Sequence, residues 1–184
     1  MSEFKLSTES FILMIAALVI GSVLIAVVTY HILRFLRGSI KLTLPRTSFN
    51  PGEAITGNVE LQTKKEIEGN KLLVSLIGVK EIKSTRNGKS HTRTEEIYRD
   101  SVTLEEARPY PAGYLATYNF TLKTPNWKEP EFLNSALGET LTTALNFLGS
   151  SSSRVYWKIE ARLDAKGVDL AASKSVFVNT QGMF

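Results

Sequence analysis

The sequence predicts a mainly β protein: a single antiparallel β-sandwich behind one N-terminal transmembrane helix, with one amphipathic helix inserted among the strands. Three observations predict it. Phe11 to Tyr30 is an uncharged apolar run, the chain from Gly38 onward alternates apolar and polar residues with period two, and turn residues interrupt that alternation at short intervals. The 184 residues, 43% apolar and 22% charged, suit one ordinary domain with an appendage.

The apolar run comes first. Twenty residues at about 1.5 Å each span roughly 30 Å, the thickness of a bilayer's hydrocarbon core. Twelve of the twenty are Phe, Ile, Leu or Val, which together favour insertion by roughly 4 to 7 kcal/mol. A cleaved signal peptide would have a shorter apolar core, a positive leader and a small-residue exit. Here the preceding tail carries Glu3, Lys5 and Glu9, and the exit reads Thr29-Tyr30-His31-Ile32, so a retained anchor is expected over residues 11–33. Residues 1–10 form a tail and residues 34–38 a basic linker. One lysine precedes the helix, while Arg34, Arg37, Lys41 and Arg46 follow it. Cationic flanks stay in the cytoplasm, so the expected topology is N-terminus outside and domain inside, at the cell membrane. Ala17 and Gly21, and Ser22 and Ala26, are small-xxx-small pairs. They suit close approach of a neighbouring helix, although such spacing is also ordinary membrane-helix composition.

The domain is expected over residues 39–180, followed by a tail at 181–184. Ile40, Leu42 and Leu44 alternate with polar residues until Pro45. Asn50-Pro51-Gly52 is a turn, and Ile55, Gly57, Val59 and Leu61 alternate again. Lys71–Lys83 starts apolar on both faces, as a central strand does. Asn87-Gly88 between Val79–Arg86 and Lys89–Ile97 is a hairpin signal, because both residues of the turn need positive φ. Val102 and Leu104 continue a strand. After Pro111-Ala112-Gly113, the residues Tyr114, Tyr118, Phe120 and Leu122 mark another. Tyr156–Asp164 points Trp157, Ile159, Ala161 and Leu163 to one face, and Ser173–Val178 closes the domain. That makes about eight strands. Glu131–Leu148 instead lines up Leu133, Leu137, Leu141 and Leu148 on a helical stripe after Pro130. This helix is expected to cover an open end of the sandwich, or, second, to bind a partner.

Several of these segments resemble the arrestin family. They are Ile40–Leu44, Phe49-Asn50-Pro51-Gly52-Glu53, Ile55–Leu61, Leu73–Gly78, the Pro111-Ala112-Gly113 turn before Tyr118-Asn119-Phe120, Tyr156–Asp164 and Ser173–Val178. The last stretch, with Gly167-Val168-Asp169-Leu170, is also similar to bacterial sporulation-control relatives of arrestins. The resemblance covers about residues 38–180. It implies a β-sandwich that binds other proteins and catalyses nothing. Arrestins have two sandwiches and no such anchor or inserted helix, and their phosphate-sensing charges match no positions here.

The residues offer little chemistry. With no cysteine there is no disulfide, thiolate zinc site, iron–sulfur cluster or Cys nucleophile. The two histidines, His31 and His91, lie far apart in the chain, and no metal or cofactor site is expected. Glu95-Glu96 and Glu105-Glu106 are adjacent pairs, which on a strand point to opposite faces and need not converge. The sequon Asn119-Phe120-Thr121 falls inside a strand of a domain expected in the cytoplasm. The net charge of +4 is too small to suggest nucleic acid without a supporting patch. Lys80, Lys83, Arg86, Lys89 and Arg93 make the hairpin basic. They suit lipid headgroups or an acidic partner, or simply guard an edge strand. The expected function is therefore a membrane-anchored, non-catalytic accessory or scaffold subunit bound to integral membrane proteins and the bilayer. The alternative is a tethered adaptor or sensory domain recognising an acidic or phosphorylated tail or a small ligand.

Overall fold

The computed structural model describes residues 8–86, 89–127, 129–136, 138–139 and 152–179. Helix α1 (Thr8–Arg37) runs directly into strand β1 (Gly38–Thr43). The expected linker at 34–38 is thus the last turn of the helix and the first residue of a strand. The helix is longer than its apolar core because nothing in Ile32–Arg37 breaks it until Gly38, whose φ is 155°.

Eight further strands follow: β2 (Ser48–Phe49), β3 (Ala54–Thr63), β4 (Ile67–Arg86), β5 (Lys89–Glu105), β6 (Arg108–Tyr110), β7 (Leu115–Lys123), β8 (Ser152–Ala165) and β9 (Leu170–Val178). They form two sheets. The small one has the order β1-β3-β7, and the large one β2-β9-β8-β4-β5 with β6 added beside β4. Among the described residues all pairings are antiparallel except that of β2 with β9.

The turns follow from local chemistry. In Asn50-Pro51-Gly52-Glu53 the Glu53 amide donates to the Asn50 carbonyl at 3.2 Å, with Gly52 at φ 75°. Pro111-Ala112-Gly113-Tyr114 repeats the pattern, with Gly113 at φ 78°. Both are type II turns, with proline or a compatible residue second and glycine third. Asn87-Gly88 lies outside the described residues. Its neighbours Arg86 and Lys89 pair with each other, which leaves the two-residue connection expected of a hairpin.

Alternation fills the core. Ile55, Val59, Val74, Leu76, Phe120 and Trp157 pack between the sheets. A second cluster, built on Leu61, Ile67, Leu72, Tyr110 and Leu163, fills the end nearest the helix. Each large aliphatic or aromatic side chain buried there contributes about 1.5–3 kcal/mol. Trp157 is buried as its strand position requires, with its ring 5.4 Å from that of Tyr98. Gly78 is needed beneath it, since a Cβ there would lie 2.8 Å from the indole.

The inserted helix differs from expectation. The described part, α2, covers Pro130–Leu133. The chain then turns, and the Ser135 hydroxyl accepts from the Gly138 amide at 3.0 Å, in the manner of a helix cap. A single unbroken helix from Glu131 is therefore ruled out. Leu133 is exposed. Leu137, Leu141 and Leu148 lie outside the described residues.

Candidate functional site

Two regions lie outside the core: the helix with its junction, and the hairpin of β4 and β5.

Among the described residues of α1, the apolar stretch from Leu13 onward is long enough to cross a bilayer, and none of it is buried against the sandwich. Ala17, Ser22 and Ala26 are exposed and Gly21 is half-buried. A Cβ at Gly21 would meet nothing within 4 Å. The Ser22 hydroxyl donates to the Val19 carbonyl at 2.8 Å, so its polar group is satisfied within the helix. The small-residue faces are thus open on the helix surface.

The junction is closely tied. The Arg37 carbonyl, at the end of the helix, accepts from the amides of Lys64 and Lys65 at 2.8 and 3.3 Å. These bonds satisfy a helix-end carbonyl that would otherwise lack a partner. The Arg37 guanidinium donates to the Lys166 carbonyl at 2.8 Å. The Lys64 ammonium stands 3.4 Å from the centre of the Phe35 ring, a cation–π contact. A Cβ on Gly38 would lie 2.2 Å from the Gln62 carbonyl oxygen, so only glycine lets β1 begin this close to β3. One arginine thereby couples the helix to the β3–β4 and β8–β9 connections.

The hairpin leaves from the opposite end. β4 starts beside the helix exit and runs 20 residues, roughly 60 Å at about 3.3 Å per residue. The partner strand β8 ends its pairing at Lys83, so the tip is a two-stranded ribbon. Lys83, Lys89 and Arg93 are exposed. Lys80 is not: it is only 5% exposed, because the alternation along β4 puts it on the inner face with Leu76 and Gly78. It therefore leaves the set of exposed contact residues. The Arg86 side chain lies outside the described residues. Glu81 is held by Arg154 at 3.0 Å and by Lys83 at 3.7 Å.

The paired carboxylates do not converge. Glu96 binds Arg99 at 2.7 Å, and that hydrogen bond holds its carboxyl below the usual range. Glu95 faces the other side of the strand. Glu105 accepts from Arg108 at 2.5 Å, from the Tyr110 hydroxyl at 2.9 Å and from the Tyr118 hydroxyl. Glu106 is exposed, 3.9 Å from Lys71. The Glu105 cluster has no signal in the sequence, since its members come from three separate strands, β5, β6 and β7. Burial, with help from the Glu105 carboxylate, raises the Tyr110 and Tyr118 hydroxyls well above the ordinary tyrosine range. His31 stacks edge-on against Tyr30 at 5.7 Å and lies at the junction, far from the hairpin that carries His91.

No protein-family model matches this chain, and no curated protein matches it. Among solved structures it is similar to Spo0M, a sporulation control protein from Bacillus subtilis, with a TM-score of 0.53 and 16% identity. The match covers 79% of this chain and 50% of that one, so this chain spans about half the length of that relative. Identity this low speaks for the fold alone. The domain has an arrestin-like β-sandwich fold, joined at its N-terminus to one long apolar helix.

Proposed function

We propose that this chain is a single-pass membrane-anchored interaction protein without catalytic activity, an accessory or scaffold subunit of a larger membrane complex. The observation that carries this reading is α1: among the described residues nothing buries its apolar stretch, which suits burial by lipid or by other helices. The cations after the helix support a cytoplasmic sandwich at the cell membrane, with the N-terminus outside. Integral membrane proteins would meet the Ala17, Gly21, Ser22 and Ala26 faces and the sandwich. The divergent carboxylate pairs support a binding role over acid–base chemistry. The adaptor reading has one observation in its favour, the projecting basic ribbon with Lys83, Lys89 and Arg93 exposed, which suits an acidic tail held far from the bilayer. The test is purification of the tagged full chain from native membranes in mild detergent, with mass spectrometry of what accompanies it. Integral membrane proteins at fixed stoichiometry support the subunit reading. Recovery of the chain alone contradicts it.

A further inference from the structure

A cleft of about 360 Å³ lies where the last turns of α1 meet the seam between the two sheets. His31 and Phe35 roof it, Ser39 and Ile40 come from β1, and Leu170 and Ala171 from β9. Among the described residues β1 pairs only with β3, so its other edge faces this space. The volume is within the range of ligand sites, about 300–1,000 Å³. We infer that the cleft binds an anionic phospholipid of the leaflet from which the helix emerges. This rests on the reading of α1 as a membrane span.

Position argues first. The apolar run ends at Tyr30, and the seven residues to Arg37 rise about 10 Å. That distance carries the chain through the headgroup layer, which adds roughly 5–8 Å to each side of the hydrocarbon core. The cleft therefore sits at headgroup depth. Val27 and Val28 are exposed one turn before His31, on the same helix face, so an acyl chain lying along α1 leads into it. Phe35, Ile40 and Leu170 give it apolar walls, while His31 and Ser39 bring polar groups.

Charge argues second. None of the described residues lining the cleft is acidic. The Lys64 ammonium lies against Phe35, one of its walls, Lys65 is next to it in sequence, and Arg37 closes the helix end. No lysine or arginine is itself among the described residues lining the cleft; the cations border it through Phe35, and cations this close to a membrane surface attract anionic lipids. The cleft is also preformed, because the amide bonds to Arg37 and the close approach at Gly38 fix its floor.

The test uses the full chain in nanodiscs of phosphatidylcholine with a minor share of phosphatidylglycerol, followed by native mass spectrometry of retained lipid. Wild type should retain phosphatidylglycerol in preference to phosphatidylcholine. Lys64→Gln and Lys65→Gln should each cut that preference about five-fold, as expected for one interfacial cation. Ser39→Trp, which fills the cleft and changes no charge, should abolish it, with circular dichroism confirming that the sandwich is folded. Equal retention of the two lipids by wild type overturns the site. So does a preference that survives Ser39→Trp or both lysine changes, since general attraction to the basic flank would then suffice. A chain that fails to enter nanodiscs at all sinks the membrane reading itself, and the cleft with it.

Discussion

In α1, Leu18 and Ile25 are 68% and 69% exposed, whereas in the sandwich Ile55, Leu61 and Ile159 are 0% exposed. The residue types are the same and the environments are opposite. Each such side chain gains about 1.5–3 kcal/mol from burial, a gain the sandwich makes within itself and α1 does not make against any described residue. The difference teaches where each region's sequence is answerable. A strand residue is constrained by its neighbours across the sheet, and a helix residue by whatever surrounds α1.

The comparison breaks most sharply at Trp157. Replacing it with alanine should cost about 3–5 kcal/mol in a denaturant titration, since it lies in the core against Tyr98 and Gly78. A loss below about 1 kcal/mol would mean the core does not depend on it. Gly38→Ala comes next, with an expected loss of about 1–3 kcal/mol from overpacking against the Gln62 carbonyl. That loss should appear in thermal melting and should loosen exchange protection at Lys64 and Lys65. Raising the pH is gentler. Burial, first of all, lifts the hydroxyls of Tyr98, Tyr110 and Tyr118 above their ordinary 10.0. Below about pH 10 these groups are neutral in both states and their contribution is fully present. Above it the unfolded chain ionises first, so stability falls as pH rises. Ultraviolet titration should show these three of the six tyrosines ionising only as the fold is lost.

The smallest effect on stability belongs to the helix. Ala17→Leu with Gly21→Leu should leave both insertion and the melting of the sandwich unchanged, because a Cβ at Gly21 meets none of the described residues within 4 Å. Association with membrane partners should nevertheless weaken, read as reduced co-purification. Wild-type yield of the partner would mean that the helix is a tether alone.

The same contrast explains what the sequence made legible. Period-two alternation located the strands and put Trp157 inside, and the Pro-Gly and Asn-Gly signals marked the turns between them, because those signals are local. Lys80 departs from expectation because a lysine in a basic run looks exposed, whereas the inward face of β4 continues through it. The two-residue strand β2 and its parallel pairing with β9 are too short to leave a pattern. Trp127 joins the core from a connection beyond Pro125, where no periodicity exists. The Glu105–Tyr110–Tyr118 cluster and the cleft beneath His31 depend on chain segments brought together only by the fold. The stripe from Leu133 suggested a continuous helix, but Ser135 caps a new turn instead.

If α1 crosses the membrane as proposed, the sandwich lies on the cytoplasmic side. The chain has no cysteine, so an introduced thiol reports without background. Single cysteines at Ser2 and Ser90 should be tested in intact cells with a membrane-impermeant thiol reagent. The thiol at position 2 should be labelled, and the one at position 90 should react only after the cells are permeabilised. Labelling at Ser90 alone, or at both positions in intact cells, would contradict it.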